Sequence, residues 1–328
     1  MDKSYNMKSR RSFIKTVGKG AALSAIAPQL LAGPVQDVKH LRIGIIGAEN
    51  SHTIGFGKMF NIDKKFPAAE VKYVWGESDE FARNAAEKGN IPNIVKDPLE
   101  MLGEIDALIV DHRHAQYHLE AATPFIKEGI PTFIDKPFCY RAAEGKEFLD
   151  LAREHGTPVT SYSTIAHSAS TYDIKMQAES MGKINQVVRS GPVELDSKYG
   201  GIFFYGVHIV QPLMYMFGED IESVRITRKG QNGSANLVYK NGLFATLILK
   251  NIESGWETFV ETEEGLIELK SRVEESDPAL CYTDIVEMFR SGKEPRSHQS
   301  ILNCVRVLEA LEKSVASQEW EETSIIAS

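Results

Sequence analysis

A possible dinucleotide-binding loop follows the apolar run that ends at Gly47, in the segment Leu41 to His52, "LRIGIIGAENSH". In the pattern G-x-G-x-x-G, the first glycine makes a tight turn, the second admits the pyrophosphate and the third allows close helix packing. Here Glu49 and His52 stand at the second and third positions. At about 4 Å and an effective dielectric constant of about 20, one carboxylate–phosphate repulsion costs roughly 4 kcal/mol. The loop by itself therefore leaves dinucleotide binding open.

A candidate ribose-binding acid, Glu77, follows the second predicted strand, "EVKYVWG". An acidic residue at this place accepts hydrogen bonds from the adenosine ribose in dinucleotide-binding folds. The separation from Gly47 is about 30 residues, somewhat more than the usual spacing of about 20. A solvated loop carboxylate is the alternative interpretation.

Three histidines occur close together in "DHRHAQYH", at His112, His114 and His118. An H-x-H pair after a strand can contribute to a metal site, but two ligands do not complete one. The alternative is a polar strand end at the mouth of a ligand cleft, where doubly wound sheets bind their ligands. We predict no metal.

The length, charge and cysteine content exclude several classes of protein. A chain of 328 residues exceeds what one core usually serves, so we expect two domains. A net charge of −8 argues against nucleic-acid binding. The three scattered cysteines lack the spacing of a zinc site or a disulfide framework.

The N-terminal segment, residues 1–33, resembles a twin-arginine export signal. Arg10 and Arg11 precede Phe13 and a weakly apolar stretch. That stretch is too short and interrupted for a membrane span. We therefore expect a periplasmic protein that is exported already folded by the twin-arginine machinery, with a basic N-terminal arm as the alternative.

From residue 38, strand-like and helix-like segments alternate, which predicts βαβ units and a parallel sheet of the Rossmann type over residues 38–160. Asn50 or Ser51 can cap the first helix. Residues 161–328 predict a second α/β domain with an open, mostly antiparallel sheet, one helix at about 205–217 and two closing helices, the last of which can pack back on the first domain. Lys240 to Leu243 is predicted to form an Asn-Gly hairpin turn.

Two further segments carry a resemblance to a known family. "GIPTFIDKPF" ends a strand with Asp135-Lys136-Pro137, and "GGIFFYGVHIVQPLMYMFG" places His208 in an apolar segment. Their order and spacing, with the loop at Gly47, resemble the Gfo/Idh/MocA oxidoreductases. That family carries T-P-x-x-x-H and E-K-P in its Rossmann domain, and D-x-G-x-H-x-x-D in its second domain. The resemblance runs from about residue 40 to the C-terminus.

The resemblance implies roles for individual residues. Lys136 matches the lysine that polarises a carbonyl or stabilises an oxyanion, and His208 matches the histidine that exchanges a proton with the substrate hydroxyl. Tyr205 could replace part of the function of an aspartate that Phe204 replaces. The candidate catalytic residues are Lys136, His208 and Tyr205. The candidate cofactor-binding residues are Gly47, Asn50, Ser51, His52, Glu77, His118, Asp135, Lys136 and Pro137.

The predicted function is NAD- or NADP-dependent hydride transfer at a secondary hydroxyl of a sugar, cyclitol or related polyol, in a homo-oligomer. The departures from the family motifs keep other interpretations open: a lyase or metal-assisted hydrolase on the same scaffold, and a carbohydrate-binding protein without catalysis. We expect no nucleic-acid partner and no membrane span.

Overall fold

The computed structural model describes residues 40–251, 255–274 and 277–323. The predicted export signal lies outside these described residues. No helix in the described ranges is long and apolar enough to cross a membrane.

The first sheet has six parallel strands in the order β3-β2-β1-β4-β5-β6. Their bounds are β1 Leu41–Ile46, β2 Ala69–Trp75, β3 Asn93–Ile94, β4 Ala107–Val110, β5 Thr132–Ile134 and β6 Val159–Thr160. The predicted doubly wound parallel sheet is confirmed. The strand order reverses between β1 and β4, and such a reversal opens a ligand crevice at the carboxyl ends of the strands.

Helices cover both faces of this sheet, which is why its central strands β1 and β4 are apolar except for Arg42. The helices are α1 Ser51–Gly57, α2 Asp79–Gly89, α3 His118–Lys127 and α4 Ala142–Glu154. A π-helical segment, Lys58–Ile62, continues α1. As predicted, Asn50 caps α1: its side chain accepts a hydrogen bond from the His52 N–H.

The second sheet has seven strands in the order β12-β11-β7-β10-β9-β8-β13, and only the β7–β10 pair is parallel. The bounds are β7 Gln186–Pro192, β8 Ile221–Lys229, β9 Asn232–Tyr239, β10 Phe244–Lys250, β11 Glu257–Thr262, β12 Gly265–Leu269 and β13 Glu321–Glu322. The predicted hairpin turn joins β9 to β10, with Gly242 at a φ of +87°.

The remaining helices are α5 Ala169–Ser180, α6 Ile202–Phe217, α7 Thr283–Ser291 and α8 His298–Ser317. Of these, α7 packs in the core of the first sheet. The helix α5 was not predicted, and α6 begins three residues before the expected position. One face of α8 packs on the first core through Ile301 and Leu302, and another packs on the second core through Val307 and Leu308. This helix therefore fixes the two sheets against each other.

Candidate functional site

Gly47 occupies the turn that leaves β1, with a φ of +112°. A Cβ atom there would lie 2.5 Å from both the Asp111 carbonyl carbon and the His112 nitrogen. Only glycine combines that conformation with that close approach. Gly47 thus performs the task of the first glycine in a dinucleotide-binding loop, bringing the loop against the end of β4.

The side chain of Glu49, expected to repel a phosphate, is bound across the cleft. Its Oε1 accepts a hydrogen bond of 2.6 Å from the hydroxyl of Tyr199, which belongs to the second domain. The Arg113 guanidinium lies 4.5 Å from the centre of the Tyr199 ring. The Glu49 carboxylate is therefore held by a hydroxyl group of the second domain.

Glu77 turns its carboxylate toward the loop. The same Glu77 oxygen accepts hydrogen bonds from the backbone N–H groups of Ala48, at 2.8 Å, and Glu49, at 2.9 Å. The next two N–H groups, those of Asn50 and Ser51, have no acceptor within the described part of the chain. Free N–H groups at a helix N-terminus bind anions. The loop therefore fits a diphosphate, with Glu77 beside it for the ribose.

Two buried aspartates, Asp111 and Asp135, lie at the carboxyl ends of β4 and β5. The Asn50 amide joins them, donating one hydrogen bond to Asp111 at 2.8 Å and one to Asp135 at 3.2 Å. Burial, and then the charge on Asp135, raise the pKa of Asp111 well above its ordinary value. One of the two carboxyl groups therefore keeps a proton.

The Thr53 hydroxyl identifies which aspartate carries the proton. Its oxygen lies 2.7 Å from the Gly47 carbonyl oxygen and 2.5 Å from Asp111 Oδ2. A hydroxyl has one proton to donate, and the carbonyl can only accept. When Thr53 donates to the Gly47 carbonyl, the proton in its contact with Asp111 comes from Asp111, in agreement with the raised pKa of that carboxyl group. We assign Asp111 as the neutral member of the pair.

Asp135 is the ionised member, because two basic side chains adjoin it. Lys136 Nζ lies 3.4 Å and His52 Nδ1 lies 3.1 Å from Asp135 Oδ2. Burial by itself would raise the pKa of Asp135, but these neighbours outweigh it and hold the pKa well below its ordinary value. The carboxylate in turn fixes the Lys136 ammonium at the cleft.

His208 lies on α6, and its Nδ1 is 2.7 Å from the Ser163 hydroxyl oxygen. Burial, and then the positive charge of Lys136, lower the pKa of His208 well below its ordinary value. The imidazole is therefore neutral at neutral pH and can accept a proton. Because the charge of Lys136 acts on this imidazole, the structure places Lys136 of the first domain near His208 of the second.

The structure gives Tyr205 and His118 positions that differ from their expected roles. Tyr205 packs edge-on against the His208 ring, at 5.7 Å between centroids, but lines a separate groove with Glu194 and Lys250. His118 is fully buried, and its ring nitrogens contact the carbonyl oxygens of His112, Pro137 and Phe138. As a correction, His118 positions the Lys136–Pro137 segment, whose peptide bond is cis, and is not available to a cofactor.

The histidines of "DHRHAQYH" do not converge on a shared site. His114 Nδ1 lies 3.0 Å from the Tyr140 hydroxyl, and His112 Nδ1 is buried without a hydrogen-bond partner among the described residues. The group with metal-ligand geometry is a different one: His52, Asp111 and Asp135 each offer an atom within 4.8 Å of the others. Sequence reasoning missed the Asp111–Asp135 pair, although an aspartate directly after an entirely apolar strand was a usable signal.

The proton on Asp111 predicts a dependence of stability on pH. Above the ordinary carboxyl pKa the unfolded chain loses this proton while the folded chain retains it, so the free energy of unfolding falls as the pH rises. Asp111→Asn keeps the donor toward Thr53 and removes this cost. It should raise the free energy of unfolding by about 1 kcal/mol or more at about pH 7.5, and by less at about pH 4.5.

Urea unfolding at the two pH values measures this effect, and Asp135→Asn is the matched control. That substitution should destabilise the fold at neutral pH, because it leaves Lys136 and His52 without their anion. Equal destabilisation by both substitutions at neutral pH would contradict the assignment of the proton to Asp111.

Comparison with protein families gives one match, which covers residues 41–163: the GFO_IDH_MocA model, described as "Oxidoreductase family, NAD-binding Rossmann fold". Among curated proteins, the uncharacterised oxidoreductase YhhX of Escherichia coli K12 is 27% identical over 202 residues. That alignment covers 54% of this chain and 57% of YhhX. Both matches agree with the predicted oxidoreductase class and the nicotinamide cofactor.

Solved structures share the fold over most of both chains. GenD2 from gentamicin A biosynthesis, crystallised with NAD, superposes with a TM-score of 0.74, at 14% identity over 88% of this chain and 97% of its own. Myo-inositol dehydrogenase from Lactobacillus casei, crystallised with NAD(H) and myo-inositol, gives 0.72, at 14% identity over 88% and 98%. At such identities the likeness establishes the fold alone. Residues 41–163 therefore match the NAD-binding Rossmann model of the Gfo/Idh/MocA oxidoreductases, and the two-domain chain shares its fold with these solved structures.

Proposed function

We propose that this chain is an NAD(P)-dependent dehydrogenase that transfers hydride at a secondary hydroxyl of a sugar, cyclitol or related polyol. One observation carries the proposal: an ammonium and a neutral imidazole from two domains lie close enough for the charge of one to act on the other. The myo-inositol bound to the Lactobacillus casei dehydrogenase supports the substrate class by analogy.

The residues that would hold the cofactor are those of the loop and the strand ends. The N–H groups of Asn50 and Ser51 would bind the diphosphate, and Glu77 would accept hydrogen bonds from the adenosine ribose. Asp135 and Lys136 would lie at the nicotinamide end. When bound, the nicotinamide supplies the hydride acceptor.

His208 would accept the hydroxyl proton. If Nδ1–H donates to the Ser163 hydroxyl oxygen, Nε2 presents its lone pair to the cleft. Gln211 fixes Ser163 in turn, because its Oε1 accepts a 2.6 Å hydrogen bond from the Ser163 N–H. This chain of contacts orients the imidazole for proton transfer.

Lys136 would stabilise the oxygen from which the proton departs. Its ammonium donates hydrogen bonds and carries a positive charge where negative charge develops. Its side chain is 11% exposed, so that charge acts in a partly desolvated cleft. Asp135 holds the ammonium in place.

Calorimetric titration of the purified protein with NAD⁺, NADH, NADP⁺ and NADPH tests cofactor binding. We expect micromolar affinity for at least one of them. Glu77→Gln should weaken the affinity of the preferred cofactor about tenfold, because it removes a charged acceptor at the ribose. Glu80→Gln, on an exposed residue of α2, is the control and should leave affinity unchanged. No binding of any of the four would refute the proposal.

Turnover with a panel of sugars and cyclitols, followed by the absorbance of the reduced nicotinamide, tests the catalytic roles. His208→Asn and Lys136→Met should each lower kcat by about 10²- to 10⁴-fold, with cofactor affinity nearly unchanged. Because the pKa of His208 is lowered, the acid limb of kcat/KM should lie below the ordinary histidine pKa. Turnover that does not require NAD(P) and is abolished by a metal chelator would instead indicate a metal at His52, Asp111 and Asp135.

We also propose that the protein is exported in its folded form, on the N-terminal sequence alone. Fractionation of cells that produce the full chain should find it in the periplasm. Replacing Arg10 and Arg11 by lysine should retain it in the cytoplasm, and periplasmic recovery of that variant would contradict the twin-arginine route. The homo-oligomer remains a prediction.

A further inference from the structure

A cavity of about 560 Å³ is lined on one side by Trp256, whose ring centre lies 6.4 Å from that of His208. It is lined by Thr164 and Ile165, which directly follow the Ser163 that contacts the imidazole, and by Trp256 and Tyr282. The hydroxyls of Thr164 and Ser170, which also lines the cavity, make no hydrogen bond within the described part of the chain. This cavity is large enough to hold a polyol.

Arg189, on β7, lines the same cavity, and no carboxylate of the described residues is hydrogen-bonded to it. The residue is 2% exposed. Its Nη1 donates a 2.7 Å hydrogen bond to the Thr258 hydroxyl, but its Nε makes no hydrogen bond within the described residues. A buried charge without a partner is costly unless it serves a ligand. Burial lowers the pKa of Arg189 to about 10, so the guanidinium is still charged at neutral pH.

Glu257 is the neighbour in sequence of Thr258, which contacts Arg189, but its carboxylate is paired with other side chains. It forms a 2.5 Å ion pair with Lys250 and accepts a hydrogen bond from Ser190. Successive residues of a strand point to opposite faces of a sheet, so Glu257 and Ser190 face away from Thr258 and Arg189. Within the described ranges, no carboxylate forms a salt bridge with the Arg189 guanidinium.

The Trp256 ring lies near both Arg189 and His208. The ring lies against Gly191, where a Cβ atom would come within 2.1 Å of it, so the strand leaves room for the indole. The Arg189 guanidinium carbon is 5.7 Å from the Trp256 ring centre, and the His208 ring is 6.4 Å from the same indole. The guanidinium and the imidazole are thus separated by one aromatic ring, on which a sugar can pack.

We propose that this cavity binds an acidic sugar, a uronate or an aldonate, and that Arg189 recognises its carboxylate while the hydroxyl to be oxidised lies at His208. The inference rests on the proposed function and narrows its substrate class. Arginine suits this role because its planar guanidinium matches a carboxylate with two parallel hydrogen bonds. Arg189 is here a specificity residue rather than a catalytic one.

The test compares acids with neutral partners of the same shape, by calorimetry with the full chain in the presence and absence of NAD⁺. The probes are D-glucuronate with D-glucuronamide, D-galacturonate with D-galacturonamide, and D-gluconate with D-glucitol. At least one acid should bind ten times more tightly than its neutral partner. Arg189→Gln should abolish that preference, and Arg189→Lys should retain part of it.

Arg306→Gln is the matched control, because Arg306 also has a buried Nε without a partner but lies on α8, outside this cavity. It should leave the preference for the acid intact. The inference would be overturned if every acid bound no more tightly than its neutral partner, or if no probe bound at all. It would also be overturned if the preference for the acid survived Arg189→Gln. The comparison of probes on the unaltered protein holds even if a variant does not fold. Cofactor binding is measured separately, so failure here leaves the proposed function standing.

Discussion

A single proton, retained by one of two buried carboxyl groups, sets the charge of this cleft. Asp111 and Asp135 lie where the strand order reverses, and two negative charges there would repel each other at low dielectric. With Asp111 neutral, Asp135 retains one negative charge against Lys136 and His52. That balance fixes the ammonium at the edge of the sheet where ligands of this fold bind.

The loop and the second domain depend on the same arrangement. Asn50 binds both carboxyl groups through its amide and caps α1 with its oxygen, so the aspartate pair also orients the helix N-terminus. Glu49, which stands where the loop pattern requires glycine, extends to Tyr199 and links the loop to the other domain. The departures from the glycine pattern are therefore replaced by polar contacts that hold the cleft together.

The sequence predicted much of the fold, because hydrophobic periodicity and turn residues are local signals. The parallel sheet, the capping by Asn50 and the hairpin at Asn241-Gly242 all depend on neighbours within a few residues. Helix α5 was not predicted because its sequence, "ASTYDIKMQAES", shows no clear apolar face. Its buried residues are set by packing against the second core.

The site could be predicted in its residue types but not in its charges. Lys136 and His208 were identified from motif spacing, but the proton on Asp111 depends on Thr53, 58 residues away in the chain. The direction of the Glu49 side chain depends on Tyr199, 150 residues away. His118 matched a cofactor position in its motif and is instead enclosed by backbone carbonyl groups. Long-range contacts decide such details, and one sequence does not contain them.

A crystal structure of the protein grown with saturating NAD⁺ tests the central claim most directly. The account predicts diphosphate oxygens within hydrogen-bond distance of the Asn50 and Ser51 N–H groups, about 3 Å, and a nicotinamide ring between Lys136 and His208. A dinucleotide bound elsewhere, or a cleft that stays closed to NAD⁺ with the Glu49–Tyr199 contact across it, would contradict the account.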